Sequence, residues 1–167
     1  MKAPSSGHQK LLTHLENISD DSIEALSGTL VDGENVFHAA ARSNHCDIMK
    51  CLLTSLRKDE EALMRCLRLR RELSRAARFW RKSSLTPLEI AVQQWRDDGD
   101  RGMFDAIMDK QQLSVERRKE LLQVDGGRSI VDLAHRKDII CYIQDLQEEL
   151  QEKLKVPVSA AGALSSL

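Results

Sequence analysis

An all-α fold is predicted by three features of this 167-residue chain. Apolar residues recur at three- and four-residue intervals, the spacing of one helix face. Polar residues suited to capping stand just ahead of those runs. Aromatic residues reach only 4% and alternating β-branched runs are scarce, so the core is expected to be Leu, Ile, Ala and Met packed between helices. An apolar content of 41% supplies one domain core at this length.

The elements follow in order. Residues 1–10 are expected to be flexible, 11–154 to form the helical domain, and 155–167, with Pro157 and many small residues, to fray. GHQKLLTHLENI and DDSIEALSGTL each suit a short helix, with Asp21 and Glu24 at capping-box spacing. DGEN then makes a polar turn. Asn35 can cap a compact helix containing Val36, Phe37, Ala39, Ala40 and Ala41; after SNH, residues 47–56 place Ile48, Met49, Cys51, Leu52, Leu53 and Leu56 on a broad face. Two helices this short must bury their apolar faces together.

Residues 57–82 are expected to insert an extra helix. Leu63, Cys66, Leu67, Leu69, Leu73, Ala76, Ala77 and Trp80 fall on its apolar side. Arg68, Arg71, Arg75, Arg78 and Lys82 recur on another side at three- and four-residue steps. Further on, Thr86 suits an N-cap, Pro87 the first helical position, and Glu89 the third, from which it can return the cap. QQWRDDGDRG reads as a longer turn before MFDAIMDK, and a short helix can begin after Ser114 with VERRKELL. Ser129 and Asp132 repeat the capping arrangement. The last helix aligns Ile139, Ile143, Leu146, Leu150 and Leu154, a stripe suited to capping a stack and to a short dimer contact.

DGENVFHAAARSNHCDIMKCLL, residues 32–53, resembles the ankyrin-repeat pattern, with Asp32, Gly33, Phe37, His38, Ala40, Ala41, His45, Ile48, Leu52 and Leu53 in register. A second match keeps Thr86, Pro87, Leu88 and Ala91 but has Glu89 at the usual histidine position. A third, shortened match uses Asp125, Gly126, Ser129, Val131, Leu133, Ala134, Ile139, Ile140 and Ile143, with an abbreviated interhelix turn. Starts at 35, 86 and 129 stand 51 and 43 residues apart, whereas the family period is about 33. The resemblance implies an irregular ankyrin-like stack of about three helical hairpins, with extra helices inserted and a terminal capping helix. It also implies a binding module, an adaptor, inhibitor or targeting domain, that recognises proteins through its turns and the exposed sides of its first helices. His38 would then connect a helix start to neighbouring turns.

Charge points to the kind of partner. The net charge is -1, yet residues 57–82 carry ten Lys or Arg against four acids, a local +6 that leaves -7 elsewhere. Such a polarity can steer an acidic protein surface towards Arg68, Arg71, Arg75 and Arg78, the candidate partner-binding residues. Nucleic acid and an anionic membrane rank behind that partner, because no zinc finger, KH loop or RRM-like aromatic motif accompanies the arginines, and a buried apolar side leaves a membrane little to hold.

Adjacent His45, Cys46 and Asp47 invite comparison with a nucleophile, base and orienting acid. Neighbours along a helix point in different directions, so no catalytic residue is assigned. A cysteine-dependent enzyme using Cys46 and a structural scaffold or chaperone in a larger assembly are the alternative classes. The five histidines match no recognised zinc spacing, and no Rossmann or P-loop glycine motif occurs, so no metal or cofactor is expected. Cys46, Cys51, Cys66 and Cys141 lack disulfide-framework spacing and read as reduced thiols; Cys46, Cys66 and Cys141 are expected to be buried beside apolar positions. Without a signal-peptide apolar region or a run of about 18 apolar residues, the chain is expected to be cytoplasmic or otherwise intracellular, with signal-independent export to a host cell left open.

Overall fold

The computed structural model describes residues 34–70, 85–123 and 130–155. Every regular element among them is an α-helix, so the chain is all-α. The two early helices, the Asp21–Glu24 cap, Asp32 and Gly33, Asp125, Gly126 and Ser129, and most of both expected flexible ends lie outside the described residues. Within 11–154, expected as one domain, contacts fall into two compact units, Met1–Leu113 and Ser114–Leu167.

In the first unit, α1 (Val36–Arg42) and α2 (Cys46–Ser55) form a hairpin. The SNH turn between them has a specific geometry. The amides of Asn44 and His45 donate back to the carbonyls of Ala41 and Ala40, each at 3.0 Å. Asn44 takes the left-handed conformation that this helix ending requires, φ 52°; Asn adopts it more readily than most non-glycine residues. Phe37, Ala40 and Ala41 of α1 are buried against α2, which contributes Ile48, Met49, Leu52 and Leu53. The small alanines let the two backbones approach.

Helix α3 (Glu60–Arg68) begins at Asp59, whose carboxylate accepts the Ala62 amide at 2.9 Å. Glu60 and Glu61 lie at its start and Arg65 and Arg68 at its end, as the helix dipole favours. It does not run on as expected. Leu69 turns to extended backbone, φ -57° and ψ 125°, so α3 stops at Arg68. The Cys66 thiol is buried with Leu63 and Leu67, in accord with the sequence pattern.

Helix α4 (Pro87–Asp98) and α5 (Gly102–Ile107) form a second hairpin. The expected long turn over 93–102 is instead mostly helix. Trp95 is an interior position of α4, buried against Phe104 with ring centroids 5.3 Å apart, and this contact extends the helix until Gly99. Gly99 ends it at φ 77°, with its amide donating to the Trp95 carbonyl at 3.0 Å; only glycine takes that conformation without strain. The two hairpins pack like on like, α1 against α4 and α2 against α5, while α3 also touches α4.

In the second unit α6 (Val115–Leu122), α7 (Ile130–Ala134) and α8 (Lys137–Lys155) meet through α8, which contacts both others. Ser114 caps α6 by accepting the Arg117 amide at 3.3 Å. The α7–α8 turn is as short as the sequence implied, with His135 left-handed at φ 52°. Ile139, Ile143 and Leu150 of α8 are buried, whereas Leu146 is half-buried and Leu154 is exposed, so the apolar stripe fades before its expected end. Cys141 is exposed rather than buried, because it falls on the side of α8 opposite Ile139 and Ile143.

Leu52 is fully buried between the first hairpin's helices and their neighbours. Leu52→Ala should cost about 2–5 kcal/mol by urea unfolding. The exposed Lys50→Ala, one half-turn away, should stay within about 0.5 kcal/mol.

Candidate functional site

Polar side chains gather where α1 and α4 begin. A helix starts with amides that have no partner inside it, and here those starts are buried: Asn35 and His38 are 0% exposed and Glu89 1%. Asn35 Oδ1 accepts the His38 amide at 3.1 Å, and the Asn35 amide donates to His38 Nδ1 at 3.3 Å. The same Asn35 donates through Nδ2 to the Cys66 carbonyl at 2.7 Å, near the end of α3. His38 Nε2 lies 3.1 Å from the Leu85 carbonyl oxygen, immediately before α4. One cap thus reaches three elements.

The start of α4 repeats the device with different chemistry. Thr86 Oγ1 accepts the Glu89 amide at 3.2 Å, and Glu89 Oε2 accepts the Thr86 amide at 2.7 Å. Pro87 fills the first helical position, as its sequence placement indicated. The other carboxylate oxygen, Oε1, accepts from Arg70 Nη2 at 3.1 Å. Glu89 is therefore both a cap and the acidic half of an ion pair with Arg70, the second residue past α3.

The opposite end of the hairpins carries a second polar join. Asn44 Nδ2 donates to Asp100 Oδ2 at 2.8 Å, Asp100 Oδ1 accepts the Gly102 amide at 2.8 Å, and Gln94 Nε2 donates to the Arg42 carbonyl at 2.9 Å. The Gly102 amide and Asn44 together hold the Asp100 carboxyl below the usual carboxylate range. Arg101 stands over the Trp95 ring, 5.8 Å from its centroid. The turn of one hairpin is bonded to the turn of the next.

Cys46 sits in this second join, half-buried, with its Sγ 3.9 Å from Asn44 Oδ1. Burial first, and then the Asp100 charge, push its thiol up, with Asp47 adding to the effect and Lys50 opposing it. That leaves less thiolate at neutral pH than an open cysteine holds, the reverse of what activates a nucleophile. Burial likewise raises Cys66. No disulfide joins the four cysteines, all of which are among the described residues. Nor do three His, Cys, Asp or Glu side chains converge as for a metal among the described residues.

Of the candidate partner-binding residues, Arg68 is exposed at the end of α3; Arg71, Arg75 and Arg78 lie outside the described residues. Arg70, counted from sequence only as part of the basic window, faces Glu89. An ion pair 19 residues apart leaves no local spacing to find it by, although a carboxylate at a buried helix start is a signal that some cation must reach it. No protein-family model, curated protein or solved structure matches the chain. No helix among the described residues is long and apolar enough to cross a membrane.

Replacing Arg70 tests the pair. The Glu89 side chain is 2% exposed and that of Arg70 35%, so Arg70→Met leaves a buried carboxylate short of a partner while the solvent-facing part of the pair was already screened. The expected loss is about 1–3 kcal/mol by urea unfolding. Arg70→Met combined with Glu89→Gln should recover part of it, because the amide oxygen still accepts the Thr86 amide without a charge to bury.

Proposed function

We propose that the chain is a non-enzymatic protein-interaction module, an adaptor, inhibitor or targeting domain built as a short, irregular ankyrin-like stack. The observation that supports this reading is the like-on-like packing of the two hairpins, α1 on α4 and α2 on α5. Their turns are bonded in register through Asn44 and Asp100. A stack of that kind presents a preformed row of side chains, and a partner binding to it pays little to order the surface.

On α1, Ala39 and Arg42 are exposed, and on α4, Gln93 and Gln94 are half-exposed and Asp97 exposed. In the ankyrin-like reading these first-helix positions are the contact face. The basic window adds a direction: an acidic partner is drawn towards Arg68, Arg71, Arg75 and Arg78, with charge acting mainly on encounter and selectivity.

Capture of partners from a cell extract at physiological salt tests both parts. The wild type is compared with an Arg68/Arg71/Arg75/Arg78→Gln variant and with Ala39→Glu, each checked for retained helicity by circular dichroism. A specific protein held by the wild type should bind the neutralised variant about tenfold more weakly, a loss of about 1.4 kcal/mol, and should also lose affinity for Ala39→Glu. Folded variants that keep every wild-type partner at unchanged affinity would remove both surfaces from the account.

A further inference from the structure

Helix α6 buries an arginine among its apolar residues. Arg118 stands three and four residues before Leu121 and Leu122, so it shares their side of the helix, and like them it is buried, at 7% exposure. Its neighbours behave as surface cations do: Arg117 pairs with Glu120 at 3.0 Å, and Lys119 is half-exposed. Arg118 has no such partner. Its Nε is sealed from solvent without a hydrogen bond, and no carboxylate among the described residues pairs with it. The acids of α7 and α8, Asp132, Asp138, Asp145, Glu148, Glu149 and Glu152, are all exposed.

A guanidinium cannot shed its charge to suit such a place. Taking an ion out of water is costly unless a counter-charge and hydrogen-bond acceptors meet it, and where none does, an apolar side chain of similar size is the more stable occupant. The start of α6 adds to the cost. A helix dipole is positive over its first turn, and the amides of Val115 and Glu116 have no acceptor within the helix. Donors therefore collect at this end of α6, while the nearest acid in sequence, Glu116, is exposed to water.

We infer that Arg118 anchors a carboxylate brought by a binding partner, an acidic peptide segment that reaches the second unit at the start of α6. Nε alone of its three nitrogens is both sealed and unpaired, so the two Nη atoms form the edge that a ligand meets. Two parallel N–H groups match the two oxygens of one carboxylate. The charge of this unit favours a single oxyanion over a polyanion. Residues 114–167 carry eight Lys or Arg and nine Asp or Glu, so no basic field gathers nucleic acid or an anionic membrane there. Packing of α6 on α8 holds the residue in place ahead of binding, which limits what the partner must order. The source of the carboxylate rests on the interaction reading; the site itself does not.

The site can be tested on the full chain with acetate as the probe. Native-state exchange of the Ile143 amide, in the middle of α8, reports opening of the second unit. In sodium chloride Arg118→Met, a good helix former of similar length, should open about tenfold less often than the wild type, because an unpaired buried cation is gone. Equal or more frequent opening in Arg118→Met would mean that the folded chain already satisfies the guanidinium, and would overturn the inference.

Replacing chloride by acetate at the same ionic strength should suppress opening of the wild type, about twofold where acetate equals its dissociation constant, and leave Arg118→Met unchanged. Suppression of equal size in both proteins would contradict the site, and suppression of the wild type by inorganic phosphate but not by acetate would contradict its assignment to carboxylates. A measurement on the wild type alone covers the case in which Arg118→Met does not fold: the guanidinium proton and nitrogen signals of Arg118 should move as acetate is added, and signals that stay still up to the highest acetate concentration would sink the proposal. These readouts need no partner, so their failure strikes the site and leaves the interaction module to the capture experiment.

Discussion

Short helices cannot afford unpaired first-turn amides, and in this chain the first turns of α1 and α4 are buried. That constraint governs the first unit. A seven-residue helix such as α1 has little internal hydrogen bonding to hold it, so its stability comes from caps and packing. Asn35 and His38 satisfy each other's amides, and their remaining polar atoms reach the Cys66 and Leu85 carbonyls. Thr86 and Glu89 do the same for α4, with Arg70 as the outside partner. The caps that let each helix start are also the bonds that tie one helix start to the next.

The opposite end of the two hairpins is joined by a different set of bonds, Asn44 to Asp100 and Gln94 to the Arg42 carbonyl. Between the two polar ends lies the apolar packing of Phe37, Leu52, Leu88, Val92 and Phe104, all nearly or fully buried. The apolar contacts supply most of the driving force, but they are non-directional. The hydrogen bonds at either end fix which turn of one hairpin meets which turn of the other, and so set the surface that the stack presents.

What the sequence disclosed was what local spacing can carry. Asn35 with His38, and Thr86 with Glu89, lie three residues apart, so their caps could be read directly; the compact Ala39–Ala40–Ala41 helix and the Ser114 cap were legible for the same reason. Long-range relations were not. Arg70 looked like one more member of a basic run until the fold brought Glu89 to it. The end of α3 carries neither glycine nor proline, so the apolar spacing suggested a helix continuing past Leu69. The opposite error occurred at QQWRDDG, where the polar residues suggested a turn although Trp95 anchors them to Phe104 and Gly99 supplies the stop. Leu154 shows that an apolar residue on a long helix is buried only if a neighbour reaches that stretch, and Cys141 that it must also lie on the side the neighbour covers. Arg71, Arg75 and Arg78 rest on charge and spacing alone.

The central claim, that the buried caps are part of the core rather than ornaments on its helix ends, is tested most directly by native-state hydrogen exchange. First-turn amides of exposed helices exchange readily, because nothing inside the helix protects them. The amides of His38 and Glu89 should instead open only with the core amides of Leu52 and Val92, at free energies within about 1 kcal/mol of theirs. Rapid exchange at His38 and Glu89 while Leu52 and Val92 stay protected would show that the caps fray independently, and the account of the joint would fail.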